Sequence, residues 1–182
     1  VAVARGEMSG DSSFKIEKIS KIKTIFEDDF IVAVDKPAFV TSEEVALEKK
    51  LPLLHRLDKE TSGVLLLTKD DEFRKKAVDA FKKHEVLKEY IAIVEGRVAE
   101  VVTVNAPIVT IKKGSTSHSR ISSEGKEAIS HIEPLMIEGK RTKVKVTIET
   151  GRTHQIRVHL KSIAAPIQGD TEYGGRPYKR MM

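Results

Sequence analysis

The period of the apolar positions changes several times along the chain, and each change marks an element. Ile25 to Val34 carries two short strand-like runs split by the acidic turn Glu27-Asp28-Asp29. Lys36-Pro37 stops the second run, because the residue before a proline is pushed out of the helical region. Glu43 to Leu51 predicts a short helix, with Thr41 or Ser42 as N-cap, Glu44 in the first turn and Pro52 as the stop. Val64-Leu65-Leu66-Leu67 follows the turn Thr61-Ser62-Gly63 as a continuous apolar run, which predicts a central strand buried on both faces.

Between Asp70 and Glu85 the period becomes helical: Phe73, Ala77 and Phe81 recur at i, i+4 and i+8 with lysines opposite. Leu87 to Glu95, rich in β-branched and aromatic residues and ended by Gly96, predicts a strand. Lys112 to Gly125 has little apolar content and reads as a flexible basic loop, able to lie on RNA. Glu127 to Met136 and Lys143 to Glu149 predict further strands; in the second, Val144, Val146 and Ile148 point inward and Lys143, Lys145 and Thr147 outward. Gly151 breaks that strand, and Thr153 is the expected cap of a helix whose Ile156, Leu160 and Ile163 share a face as far as Pro166. Strands and helices interleave without βαβ regularity and without an internal repeat. The expected fold class is therefore α+β: one domain over residues 25–182, with a mixed, mainly antiparallel sheet flanked by helices, after an N-terminal arm over 1–24.

Composition narrows the classes of function. The chain has 182 residues, 40% hydrophobic and 32% charged, enough for one core, and no run approaches the ~20 apolar residues that span a bilayer. The absence of cysteine removes disulfide frameworks, thiolate metal sites and Cys nucleophiles. No signal peptide is read at the N-terminus, so the cytoplasm is the expected compartment, and a monomer without an obligate protein partner is the expected state. Charge is uneven: 17 basic and 19 acidic residues stand up to Glu95, 15 and 8 after it. A basic excess on one half fits a polyanionic partner, and it equally fits the solvated face of an ordinary enzyme.

Familiar machinery is missing. His154 and His159 lie five apart rather than four, so no metal site is expected, and no phosphate-binding glycine pattern or G-x-S-x-G is present. Two polar clusters remain, His55-Arg56-Leu57-Asp58-Lys59-Glu60-Thr61-Ser62-Gly63 and Gly151-Arg152-Thr153-His154-Gln155-Ile156-Arg157. In the second, Arg157 is expected to share a helix face with Thr153. If the clusters approach, Arg157 facing Asp58 would keep that carboxylate ionised. A surface ion pair beside a hydrogen-bonded turn accounts for the same residues.

The first cluster, continued to Leu66, resembles the RluA family of pseudouridine synthases, whose signature runs H-R-L-D-x-x-T-S-G-x-L-L. Further landmarks follow the family's order: Phe26-Glu27-Asp28-Asp29 through Asp35-Lys36-Pro37, Lys88-Glu89-Tyr90 through Gly96, the second cluster, and Gly169-Asp170 with Tyr173-Gly174. The resemblance covers about residues 25–175 and implies a pseudouridine-synthase catalytic domain that isomerises uridine in ribosomal or transfer RNA, with no cofactor and no metal. By position it implies that Asp58 is the catalytic aspartate, as nucleophile or as base. Arg157 is implied as its basic partner, and Tyr90 as the ring that stacks on the target base and assists proton removal from carbon 5. Ile156 is implied as an apolar pocket wall, and Arg56 as the side chain that fills the gap left by a flipped nucleotide. Taken alone, Tyr90 also reads as a core tyrosine, and His55 and His154 as structural hydrogen-bonders.

Some features depart from the family's pattern. The arm is too short for the small RNA-binding domain many members carry, only 17 residues separate Pro37 from His55, and the family's final strand after Tyr173-Gly174 is expected to be missing. Two other classes stay open: a non-catalytic RNA-binding or ribosome-assembly module of the same fold, and a uracil-base hydrolase.

Overall fold

A computed structural model describes residue 19, residues 22–114 and residues 116–177. Most of the expected arm lies outside the described residues; of its last positions, Ile22 is buried and Thr24 opens the first strand. The fold is α+β, with antiparallel sheets flanked by helices, and every strand pairing among the described residues is antiparallel. Two compact units meet in sequence at Val86 and Leu87, within the stretch expected as one catalytic domain. No helix among the described residues is long and apolar enough to cross a membrane.

The first unit holds a three-stranded sheet of β1 (Thr24–Glu27), β2 (Ile31–Lys36) and β3 (Gly63–Thr68), in that order. The acidic turn works as its composition predicts: the Asp28 carboxylate accepts the N–H groups of Phe30 and Ile31 and so closes β1 onto β2. Val32, Val34, Leu65 and Leu67 form the core with Val40, Val45 and Ile22. β3 is not central. It ends the sheet, its Val64 is exposed, and its outer edge is covered by residues 52–54, where Leu53 bridges Leu67 and the Leu54 N–H donates to the Leu66 carbonyl. An apolar run does not distinguish a central strand from an edge strand lined by a loop. Helix α1 (Ser42–Lys49) begins with a full capping box, Thr41 and Glu44 satisfying each other's backbone N–H. Helix α2 (Asp71–Lys82) is capped by Asp70, and its Phe73 stacks on Phe30.

The second unit is built on a four-stranded sheet ordered β4-β9-β8-β5, from β4 (Lys88–Glu95), β5 (Val102–Asn105), β8 (Ile129–Glu138) and β9 (Arg141–Ile148). Val144, Val146 and Ile148 face a core with Ala92, Val94, Ile132 and Leu160, as the alternation in β9 predicts. The expected basic loop is largely a hairpin of β6 (Ile108–Lys113) and β7 (Thr116–Ile121). Its polar residues are held within the hairpin, where the Thr110 and Ser119 hydroxyls meet at 2.9 Å, and by a partner remote in sequence, the Ser119 N–H donating to the Tyr173 hydroxyl at 2.9 Å.

Helix α3 (Gln155–Ser162) is also entered differently from the sequence expectation. Its N-cap is His154 in the left-handed region (φ 55°), not Thr153, which lies outside the helix and so shares no helical face with Arg157. The Gln155 amide instead ties the turn before the helix to β8. Its oxygen accepts from the Thr150 hydroxyl and the Arg152 N–H, while its nitrogen donates to the Ile129 carbonyl and the Ser130 hydroxyl. A short-side-chain cap rule does not anticipate a buried amide doing this from inside the helix.

Candidate active site

In the first unit Asp58 sits half-buried on the loop that leads into β3, and that loop is tied by its main chain. The Ser42 hydroxyl accepts the Leu57 N–H at 2.9 Å and donates to the Leu57 carbonyl at 3.1 Å. Phe39 N–H donates to Lys59 O at 2.6 Å, and Thr61 N–H closes a turn onto the Asp58 carbonyl. Beneath it lies Lys36, fully buried at the end of β2, whose ammonium donates to the carbonyls of Val40 (2.6 Å), Pro37 (3.0 Å) and Lys59 (3.4 Å). Burial pulls its pKa down to about 8, against the opposing pull of Glu60, Asp58, Glu44 and Glu43. The cation that pins this loop therefore lies within electrostatic reach of Asp58.

Lys36 also makes stability depend on pH. Its folded pKa of about 8 lies below the unfolded value, so between those two values the unfolded chain binds a proton that the folded chain has released, and stability rises with pH. The gain is absent below pH 8 and complete above the unfolded pKa of about 10.4. Urea midpoints of the wild type are expected to rise from pH 8 to 10 relative to Lys36→Met. Parallel profiles would contradict the assignment.

Arg56 is exposed and pairs with Glu43 at 2.7 Å, a surface contact worth ~1 kcal/mol at most and easily exchanged for another partner. His55 accepts the Leu66 N–H at Nε2 and stacks on Phe81, which is structural work.

In the second unit Tyr90, on β4, and Ile156, in the first turn of α3, are half-buried and pack against the same apolar cluster. Arg157 follows Ile156, its side chain only 13% exposed. Its guanidinium makes a two-pronged pair with Asp170, at 2.7 and 2.8 Å, a further bond to Glu172 at 2.8 Å, and lies 4.6 Å above the Tyr173 ring. Tyr173 is itself fixed, its hydroxyl bonding His154 Nδ1 at 2.7 Å and its ring stacking on His118. Burial, first among several influences, raises the pKa of this phenol. The 167–175 loop that presents Asp170 closes tightly: a side chain at Gly175 would put Cβ 2.1 Å from the Ile167 carbonyl oxygen.

Each unit thus assembles part of the expected set, Asp58 with Arg56 in one and Tyr90, Ile156 and Arg157 in the other. Sequence reasoning missed the supports. Lys36 and Asp170 stand inside quoted landmarks, Asp35-Lys36-Pro37 and Gly169-Asp170, and that placement was the available signal. Among the described residues no three His, Asp or Glu side chains converge as metal ligands.

A family profile described as RNA pseudouridylate synthase matches residues 31–162. Two proteins from two strains of Helicobacter pylori, each described as an uncharacterized RNA pseudouridine synthase, are 52% and 50% identical over 99% of this chain and 76% of their own length. Ribosomal large subunit pseudouridine synthase D of Pasteurella multocida is 31% identical over 94% of this chain and 58% of its own. Among solved structures, human RNA pseudouridylate synthase domain containing 1 superposes with a TM-score of 0.73 at 25% identity, over 96% of this chain and 78% of that one.

Proposed function

The chain belongs to the RNA pseudouridylate synthase family, in its RluA branch, and from that premise we propose that it converts specific uridines of ribosomal or transfer RNA to pseudouridine without a cofactor, in the cytoplasm. The observation that carries the reading is the Asp58 loop: a carboxylate inside an unbroken His55–Gly63 signature, pinned on both sides by Ser42 and Lys36.

Asp58 works as the anion. As nucleophile it attacks the ribose, and as base it removes a ribose proton; in either route the bond from C1′ to N1 breaks. The base turns and C1′ bonds to C5; on the first route the Asp58–C1′ bond breaks as this bond forms, and on the second Asp58 returns its proton to the ribose. The C5 proton then leaves and N1 gains one, so the product has the mass of the substrate. Tyr90 stacks on the base and assists loss of the C5 proton, Ile156 walls the pocket, and Arg157 orients Asp58. A stacked base is out of reach and must be extruded at a cost of a few kcal/mol. Stacking on Tyr90, worth ~1 to 3 kcal/mol, and Arg56 entering the vacated gap offset that cost.

Nucleoside analysis of transcripts treated with the protein tests the reading. Pseudouridine without free uracil is expected; free uracil would make the protein a hydrolase, and RNA binding with neither product would make it a binding module. The β6–β7 hairpin supplies part of the RNA surface through exposed Lys112 and Lys113. Each phosphate contact on single-stranded RNA steepens the dependence of log affinity on log salt by about 0.7. Replacing both lysines with alanine is expected to flatten that slope, and an unchanged slope would remove the hairpin from the binding surface.

A further inference from the structure

The second unit carries a pair of cations that its internal structure leaves without acidic partners. Lys88, at the start of β4, donates from its ammonium to the Glu149 carbonyl at 3.2 Å and lies 3.8 Å from where a Cβ at Gly151 would stand. Arg152, the next residue, donates from Nε to the Glu127 carbonyl at 2.8 Å. Both cations are held by main-chain oxygens, which fix position without neutralising charge. No carboxylate lies within ion-pairing distance of either among the described residues, and the Glu149 carboxylate is turned to His131 at 2.6 Å. The two positive charges feel each other: burial, then the Arg152 charge, lowers the Lys88 pKa. Two like charges anchored side by side are costly alone and favourable once an anion bridges them, a planar guanidinium fork and a point charge together suiting a phosphate.

The position of the pair says which phosphate. Lys88 and Tyr90 are two residues apart on β4 and so lie on the same face of the sheet, about 7 Å apart along the strand. A nucleotide whose base lies on the Tyr90 ring would carry its phosphate toward the end of the strand where Lys88 stands. We propose that Lys88 and Arg152 form a subsite for one backbone phosphodiester of the RNA strand, adjoining the nucleotide received at Tyr90. This assignment rests on the RNA reading above and adds a named contact to it.

The test uses the full chain and a single-stranded oligouridylate decamer, with affinity measured across a salt series. Lys88→Gln and Arg152→Gln are each expected to flatten the log–log slope by about 0.7, the signature of one lost phosphate contact. Arg152→Lys loses the bond to Glu127 but keeps the charge, and is expected to hold the wild-type slope, which separates charge from folding. Neutral methylphosphonate linkages placed one at a time are expected to weaken the wild type at one linkage and to leave the Gln variants indifferent there. Wild-type slopes in both Gln variants would overturn the subsite. Pseudouridine formation by the same protein preparations is scored on ribosomal and transfer RNA transcripts: product with unchanged slopes overturns the subsite alone, whereas flattened slopes without any product from the wild type keep the subsite and overturn the isomerase.

Discussion

Asp58→Asn is expected to remove pseudouridine formation by roughly 10⁴-fold or more while leaving the fold and RNA binding in place. The substitution keeps the shape of the side chain and removes its charge. An amide is neither a nucleophile toward the ribose nor a base, so the route to glycosidic cleavage is closed whichever role the carboxylate has. The loop has independent anchors, since Ser42 holds Leu57 and Lys36 holds Lys59 through main-chain atoms that the substitution does not touch. Lys36 loses one of four carboxylates that favour its charged form, a small change. Single-turnover rates, urea midpoints and RNA affinity measured together check the expectation. Turnover retained near the wild-type rate would defeat the assignment of Asp58.

The second large effect is expected at Asp170, which sequence reasoning left without a role. Its carboxylate is almost fully buried, takes two bonds from Arg157 and caps the turn Thr171–Tyr173. Asp170→Asn removes the charge and leaves a largely buried guanidinium with Glu172 as its remaining acidic partner within the second unit. Neutralising one partner of a buried pair costs about 3–5 kcal/mol where the other charge is left uncompensated, and Glu172 holds the expected loss to the lower end of that range. Glu172→Gln is the comparison: Glu172 bonds the same guanidinium from a position that is 40% exposed, and its loss is expected to cost ~1 kcal/mol or less. Urea midpoints of the two variants should differ widely, and the Asp170 variant should also lose activity, since Arg157 loses the two-pronged pair that fixes its guanidinium. Equal midpoints would contradict the support role given to Asp170.

Much of this was legible in the chain. The Thr41-x-x-Glu44 spacing announces the capping box at α1, the alternation from Lys143 to Ile148 announces which face of β9 is buried, and the unbroken run from His55 to Leu66 announces the Asp58 loop. The rest depends on partners that local pattern does not reveal. β7 is polar along most of its length; it pairs with β6 in a hairpin and is held from outside by the bond of Ser119 to Tyr173, 54 residues away. The turn before α3 is tied to β8 by a glutamine amide reaching Thr150, Arg152, Ile129 and Ser130, and no local sequence pattern contains that geometry. Lys36 offers no apolar periodicity to mark it as buried, because its burial comes from three carbonyls gathered by the turns around it. The same limit applied to Arg157: a residue type and a position pointed to an acidic partner, and three-dimensional structure added Asp170 and Glu172 to the account.

The most direct test of the central claim is a product map. Wild-type and Asp58→Asn protein are incubated with unmodified ribosomal and transfer RNA transcripts, and pseudouridine is located by chemical adduct and reverse-transcription stop. Stops at discrete uridines in the wild-type lanes alone are the expected result, and they would name the target. Stops of equal strength in both lanes would contradict the role of Asp58, and clean lanes throughout, with RNA bound, would contradict the isomerase itself.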